Sequence, residues 1–165
     1  MHPPDLLATL RGIGFLHDID DGHLKRLIPI AEVKSFPEGT TLFREGQSHP
    51  QVYLVIEGSI ALEVRVSARE SKRFQTVGAG ELLGWSPLLG QVEMTATARA
   101  LRPSTLAAID AVQLLAICEH DPKFGFEFMR RTARALSKRL AATRLQLLDV
   151  YRAELPGVIV LAEEG

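Results

Sequence analysis

The chain has 165 residues, 46% of them hydrophobic, which is enough to bury one sizeable core. Its 19 basic and 20 acidic residues give a formal net charge of -1, so it lacks the basic excess typical of nucleic-acid-binding proteins. The single cysteine, Cys118, excludes an internal disulfide and a zinc site made of cysteines alone. No apolar run approaches the roughly 18 residues of a membrane-spanning helix, and no signal peptide opens the chain, so we expect a cytoplasmic protein without membrane contact.

Two short helical patterns occupy the first part of the chain. Three leucines share one face after Asp5, which stands where a helix N-cap is expected. A second apolar face recurs at helical spacing from Asp21 to about Ala31. We therefore predict two helices within residues 5–31.

The hydrophobic period changes to that of β-strands at residue 33. Short alternating or β-branched runs follow one another, separated by glycine or proline turns. These runs cover residues 33–36, 40–43, 52–56, 59–66, 73–77, 95–100 and 105–109. Many short strands at this spacing predict an all-β roll or sandwich over residues 33–109.

The period becomes helical again after Ile109. We predict a short helix over residues 111–119 and a long one that begins at Asp121-Pro122 and ends near Arg152, since aspartate caps helices well and proline suits the first helical position. Apolar residues of the long helix follow a heptad rule, and a second apolar face carries Leu145 and Leu148. We expect one face to pack on the β-roll and the other to form a homodimer. The predicted dimer interface consists of Met129, Ala133, Leu136, Leu140, Thr143, Leu147 and Val150.

The segment Gly80-Glu-Leu-Leu-Gly-Trp-Ser-Pro-Leu-Leu89, followed by residues 93–100, resembles the phosphate-binding cassette of cyclic-nucleotide-binding domains. Residues 39–46 and 52–60 are similar to that family's roll glycines and central strand, and residues 129–143 to its dimerisation helix. The order and separation of these matches resemble a catabolite-activator type sensor domain without its DNA-binding domain. The resemblance implies a mainly β fold, a jelly-roll-like β-roll with flanking helices, over residues 1–152. Residues 153–165 would form a C-terminal tail.

Two cassette positions depart from the family pattern. A glutamate in that family holds the ribose hydroxyl and an arginine pairs with the cyclic phosphate, but this chain has Trp85 and Met94 there. Methionine cannot replace an arginine–phosphate pair, and losing a charge-assisted contact of this kind costs about 2–5 kcal/mol. We expect Trp85 to line or plug the pocket. The candidate pocket residues implied by the resemblance are Leu83, Gly84, Trp85, Ser86, Met94, Thr95, Ala96 and Thr143.

No motif for catalysis or metal binding stands out. The five histidines are scattered without metal-ligand spacing, and no P-loop or nucleophile motif is present, so we expect neither an enzyme nor a cofactor. Residues after Tyr151 are too few for a helix-turn-helix, and we expect no direct DNA binding. Six basic residues on the long helix form either an interaction face or a solvated one. They are Arg130, Arg131, Arg134, Lys138, Arg139 and Arg144.

These features predict a non-enzymatic sensor or adaptor that binds cyclic AMP weakly and acts through an unidentified protein partner. The resemblance implies that pocket occupancy would shift the long helices against each other. Two alternatives remain. The domain could be a structural interaction module whose pocket is permanently filled, or a sensor of an apolar small molecule such as an aromatic acid.

Overall fold

The computed structural model describes residues 3–91 and 93–154. Helices precede and follow an all-β region, as the sequence predicted. The helices are α1 (Pro3–Arg11), α2 (Asp21–Leu27), α3 (Ala111–His120) and α4 (Pro122–Glu154). The strands are β1 (Ala31–Phe36), β2 (Thr41–Phe43), β3 (Gln51–Glu57), β4 (Ser59–Ser67), β5 (Glu70–Gly78), β6 (Leu82–Leu83), β7 (Thr97–Ala100) and β8 (Ser104–Asp110).

The strands form two four-stranded antiparallel sheets, with orders β1-β8-β3-β6 and β2-β7-β4-β5. Non-sequential neighbours in both sheets give the jelly-roll-like β-roll that we expected. Side chains from both sheets meet in one buried cluster, the roll core. Its fully buried members include Val55, Ile60, Leu83, Ala98 and Leu106.

Several element boundaries differ from the sequence prediction. Helix α1 begins at Pro3, so Asp5 lies in its first turn and is not the N-cap that the sequence predicted. Strand β5 begins at Glu70 instead of Arg73, and β7 at Thr97 instead of Thr95. Helix α2 ends at Leu27 and a 3₁₀ turn covers Ile28–Ile30, because Pro29 has no N–H to continue the α-helical hydrogen bonds. Strand β6 was not predicted, since two residues are too short to show a period. Its pairing with β3, with Tyr53 opposite Leu83, places the start of the cassette at the edge of the first sheet.

A second buried cluster, the helical core, joins the N-terminal helices, α3 and the start of α4 to the first sheet. Asp121 caps α4, as predicted, by accepting a hydrogen bond from the Phe124 N–H at 3.2 Å. A side chain at Gly125 would place its Cβ 2.5 Å from the Cys118 carbonyl oxygen, so only glycine allows α3 and α4 to approach this closely. The Arg131 Nη1 donates to the Phe15 carbonyl at 2.8 Å and ties α4 to the N-terminal segment.

Burial changes along α4. Phe124 and Phe128 are fully buried in the helical core, and Met129 packs partly against it. Every described side chain from residue 141 to 152 is exposed. From residue 140 onward the helix presents large apolar side chains to solvent, namely Leu140, Leu145, Leu147, Leu148, Val150 and Tyr151. Among the described residues no helix is both long and apolar enough to cross a membrane.

Candidate ligand pocket

The cassette begins with a tight backbone turn at Gly84. This residue follows β6 with a φ of +76°, and Trp85 then precedes a 3₁₀ turn over Ser86–Leu89. A Cβ at Gly84 would lie 3.2 Å from Phe43 Cε2 and 3.6 Å from Met94 Cε. The positive φ favours glycine, a side chain would also crowd the Phe43 ring, and the Phe43 ring and the Met94 methyl group lie directly against the backbone of Gly84.

The second part of the cassette is held by the turn before β3. The Gly46 N–H donates to the Met94 carbonyl at 2.8 Å, and the Met94 N–H donates to the Gln47 carbonyl at 2.9 Å. The Glu45 N–H donates to Thr97 Oγ1 at 2.9 Å. These bonds fix the backbone of the loop and leave the Met94 side chain only 3% exposed. A buried apolar thioether thus occupies the position at which the resemblance would place a phosphate-binding arginine.

A cavity of about 370 Å³ lies between the cassette and α4. Seven of the eight candidate pocket residues line it: Gly84, Trp85, Ser86, Met94, Thr95, Ala96 and Thr143. The eighth, Leu83, is fully buried in the roll core and does not reach the cavity. Trp85 is half-buried and also packs against the helical core.

Sequence reasoning missed half of the cavity wall. The additional lining residues are Phe43, Leu62, Phe74, Gln75, Leu136, Arg139 and Leu140. Leu62 and Gln75 are direct partners across β4 and β5, a register that the sequence alone does not fix. Arg139 stands one helical turn before Thr143, so its i, i+4 spacing to that candidate residue was an available signal.

Hydrogen bonds between β5 and α4 set the position of the cavity roof. Gln75 Nε2 donates to the Arg139 carbonyl at 2.8 Å and to Thr143 Oγ1 at 3.1 Å. The Thr143 hydroxyl donates to the same Arg139 carbonyl at 2.9 Å. The Gln146 amide donates to the Phe74 carbonyl. The long helix is therefore fixed on the edge of the second sheet by polar groups, with the apolar cavity beneath it.

Arg139 is the one charged side chain among the described residues that line this cavity. Burial lowers its pKa, and the Glu81 carboxylate acts in the opposite direction. Its guanidinium makes no hydrogen bond or salt bridge with any described residue. Arginine stays protonated in proteins, so the cavity contains a partly desolvated cation that has no direct hydrogen-bonding partner and only the electrostatic attraction of Glu81, and an anionic group there is favourable.

An aromatic cluster supports the cavity wall at Phe43. The Phe43 ring stacks on Tyr53 with centroids 6.3 Å apart, and His49 Nε2 lies 2.8 Å from the Tyr53 hydroxyl. Burial raises the pKa of Tyr53 to about 12. Burial, assisted by Lys34, lowers the pKa of His49. Both groups are therefore neutral at pH 7, and their hydrogen bond is one between uncharged partners.

A β-roll closed by a long C-terminal helix, with a cavity between them, defines a regulatory domain of the ligand-sensing class. Residues 33–121, more than half of the chain, match the family model described as the cyclic nucleotide-binding domain, and the chain belongs to this family. The resemblance inferred from the cassette and the roll glycines is thereby confirmed.

Relatives of this chain include regulators and parts of larger proteins. The cyclic AMP receptor protein of Thermus thermophilus is 25% identical over 87% of this chain and 66% of its own length. A putative potassium channel protein of Rhodopseudomonas palustris is 23% identical over 73% of this chain, which spans 30% of the channel protein. The crystal structure of a putative cyclic nucleotide-binding protein from Geobacter metallireducens has a TM-score of 0.71 and 27% identity, covering 85% of this chain and 98% of that one.

Proposed function

We propose that this domain is a non-catalytic sensor whose cassette pocket takes an apolar organic acid in place of a tightly bound cyclic nucleotide. The observation that carries the proposal is the lining of the 370 Å³ cavity, which is mostly apolar and contains one cation without a direct hydrogen-bonding partner, Arg139. A volume of this size falls within the range of small-molecule sites.

The cassette itself argues against tight binding of cyclic nucleotides. A phosphate placed against the Gly84 backbone would meet the Met94 methyl group and the Phe43 ring, and neither can form a hydrogen bond or ion pair with it. The missing charge-assisted contact corresponds to a loss of roughly 30-fold to several-thousand-fold in affinity. We therefore expect dissociation constants for cyclic AMP and cyclic GMP no better than the high micromolar range.

The cavity wall favours an aromatic carboxylate. Phe43, Phe74 and Trp85 supply aromatic surface, against which a ligand ring can stack or pack edge-on. The Arg139 guanidinium can receive a carboxylate through two parallel hydrogen bonds. The amide of Gln75 is already engaged with α4, so the anionic group of the ligand is recognised mainly by Arg139.

Occupancy can act on α4 because the helix forms one wall of the cavity. Leu136, Arg139 and Leu140 line the cavity, and Leu140 is also 60% exposed on the predicted dimer interface. A ligand that contacts the cassette and α4 together favours one position of the helix over another. In our proposal the helix pairs with a second copy, and an unidentified protein partner in the cytoplasm reads its position.

Titration with ligands tests the proposal, with Trp85 fluorescence and calorimetry as readouts. Cyclic AMP, cyclic GMP, indole-3-acetate and 4-hydroxybenzoate are the probes. We expect at least one aromatic carboxylate to bind at sub-millimolar concentration and to change Trp85 emission. Arg139→Met should abolish that binding, whereas Arg130→Met, a matched change on α4 outside the cavity, should preserve it.

Sub-micromolar binding of a cyclic nucleotide to the unmodified chain would refute the proposal. So would carboxylate binding that is equally strong in the Arg139→Met variant. If no probe binds and Trp85 emission never changes, a permanently filled pocket becomes the better account.

A further inference from the structure

A second cavity, of about 620 Å³, lies between α4 and the segments that contain Gly14 and Gly80. We name it the basic groove. Its cationic lining residues, all on α4, are Arg131, Arg134, Lys138 and Arg139. Arg139 also lines the cassette pocket, but Arg134 and Lys138 do not. The groove is therefore a separate site that shares one residue with the pocket.

The positive charge of the groove is concentrated and mostly unpaired. Arg131 is engaged, because its Nε donates to Glu127 Oε1 at 3.0 Å and its Nη1 to the Phe15 carbonyl. Arg134, Lys138 and the Arg139 guanidinium form no hydrogen bond or salt bridge with described residues. Glu81 is the one acidic residue among the described lining residues; its carboxylate accepts the Gly78 N–H at 2.6 Å and attracts the Arg139 guanidinium electrostatically, which leaves Arg134 and Lys138 without a nearby acidic partner in the groove. In a chain of net charge -1, this excess is a local arrangement and not a consequence of composition.

The spacing of the four cations along α4 indicates how many negative groups a matching ligand carries. Arg131 and Arg139 are eight residues apart, which corresponds to about 12 Å along a helix. Arg134 and Lys138 lie between them, one turn apart and about 6 Å from each other. A single carboxylate can contact one or two of these cations, whereas a diphosphate or triphosphate extends along several. Small residues on the facing wall, Gly14, Ala79 and Gly80, leave room for such a ligand.

We propose that the basic groove binds a small polyanion that carries two or more phosphate groups, at a site distinct from the cassette pocket. Concave shape and a volume in the small-molecule range favour a metabolite over an extended acidic protein segment. The proposal does not depend on the ligand of the cassette pocket, because Arg134 and Lys138 take no part in that pocket. Because Arg139 lines both cavities, a ligand in the groove can also change ligand binding in the cassette pocket.

Calorimetric titration with inorganic pyrophosphate at low salt tests the groove. We expect one pyrophosphate per chain, and binding weakened about tenfold or more in the double variant Arg134→Gln, Lys138→Gln. The control is the double variant Lys123→Gln, Arg130→Gln. It makes the same charge change at exposed positions of α4 that line neither cavity, and its affinity should stay within about threefold of the unmodified chain.

Orthophosphate is the second probe and should bind at least about tenfold more weakly than pyrophosphate. An equal loss of affinity in both double variants would show non-specific charge attraction and overturn the proposal. Equal affinity for orthophosphate would overturn the requirement for several phosphate groups. Binding of hexaglutamate without binding of pyrophosphate would assign the groove to an acidic peptide instead. If the groove variant does not fold by circular dichroism, Lys138→Gln is measured against the single control Lys123→Gln, with a loss of about threefold expected for Lys138→Gln and none for the control; equal losses would overturn the proposal.

Discussion

Restoring the family residues in the cassette should give this domain affinity for cyclic AMP at the expense of stability. The double variant Trp85→Glu, Met94→Arg supplies the ribose-binding carboxylate and the phosphate-binding guanidinium that the family pattern contains. Met94 is 3% exposed, so the new arginine is placed in an apolar site without a partner until a ligand arrives. Arg139 lines the same cavity and adds like-charge repulsion.

The expected changes in stability and in cyclic AMP affinity follow from the surroundings of position 94. Burying an unpaired charge costs on the order of 3–5 kcal/mol, so the ligand-free variant should melt well below the unmodified chain. Pairing of the new arginine with the cyclic phosphate should increase affinity by roughly 30-fold or more. At a cyclic AMP concentration of about 100 times the dissociation constant, binding should then restore about 2.7 kcal/mol of stability.

Thermal unfolding with and without cyclic AMP measures both effects. The control Met94→Leu keeps the volume and polarity of the side chain, so it should cost less than about 1.5 kcal/mol and gain no affinity. A double variant that is destabilised but indifferent to cyclic AMP would refute the reasoning, because it would mean that the backbone of the cassette cannot hold a phosphate. So would an unmodified chain that is already stabilised by micromolar cyclic AMP.

Two further predictions concern the long helix and the aromatic cluster. Leu147→Glu, at a position that is 54% exposed and lines neither cavity, should convert a dimer into a monomer of 18.1 kDa by light scattering, because it places two like charges in the predicted interface. For His49, burial and Lys34 lower the folded-state pKa, so the unfolded chain takes up a proton first as the pH falls. Stability from this group is therefore complete above pH 6.5 and decreases as the pH falls below it, and His49→Gln should flatten the acid side of a plot of melting temperature against pH.

Each of these predictions has a matched control in the chain. Val112→Glu alters a residue of α3 that is 74% exposed and should leave the dimer intact. An unchanged dimer in the Leu147→Glu variant would place the interface elsewhere. His120→Gln, at an exposed histidine of α3, is the matched control for His49→Gln. Equal flattening by both histidine variants would contradict the assignment to His49.

Local patterns in the sequence predicted the fold well because most strands and helices have their own hydrophobic period and their own capping or turn residues. Asp121 shows this, since its capping role follows from the residue type and the proline after it. The boundary at Pro29 could also have been predicted from the missing N–H. Strand β6 could not have been predicted, because Leu82 and Leu83 are assigned to a strand only through their pairing with β3.

The candidate pocket was predicted in part for the same reason. Gly84, Trp85 and Met94 lie within the short cassette segment of the chain, so a local motif identifies them. Leu62 and Phe74 enter the cavity through strand register, which depends on tertiary pairing. Arg139 could have been found from its i, i+4 spacing to Thr143, but the position of α4 over the cavity depends on its hydrogen bond with Gln75 of β5, which no local pattern encodes.

The absence of an arginine at position 94 and the presence of Arg139 on α4 are connected by the geometry of the cavity. The cassette has an apolar side chain at position 94, but Arg139 brings a cation to the opposite wall of the same cavity. A family member that binds its ligand through the cassette holds the negative charge on the β-roll, whereas this chain can hold it on the helix. Any anion recognised by Arg139 therefore acts directly on the element that carries the exposed apolar residues Leu147 and Val150. Under the proposed function, the contact that recognises the ligand is also the contact that moves the helix, so removing the guanidinium should abolish binding and response together.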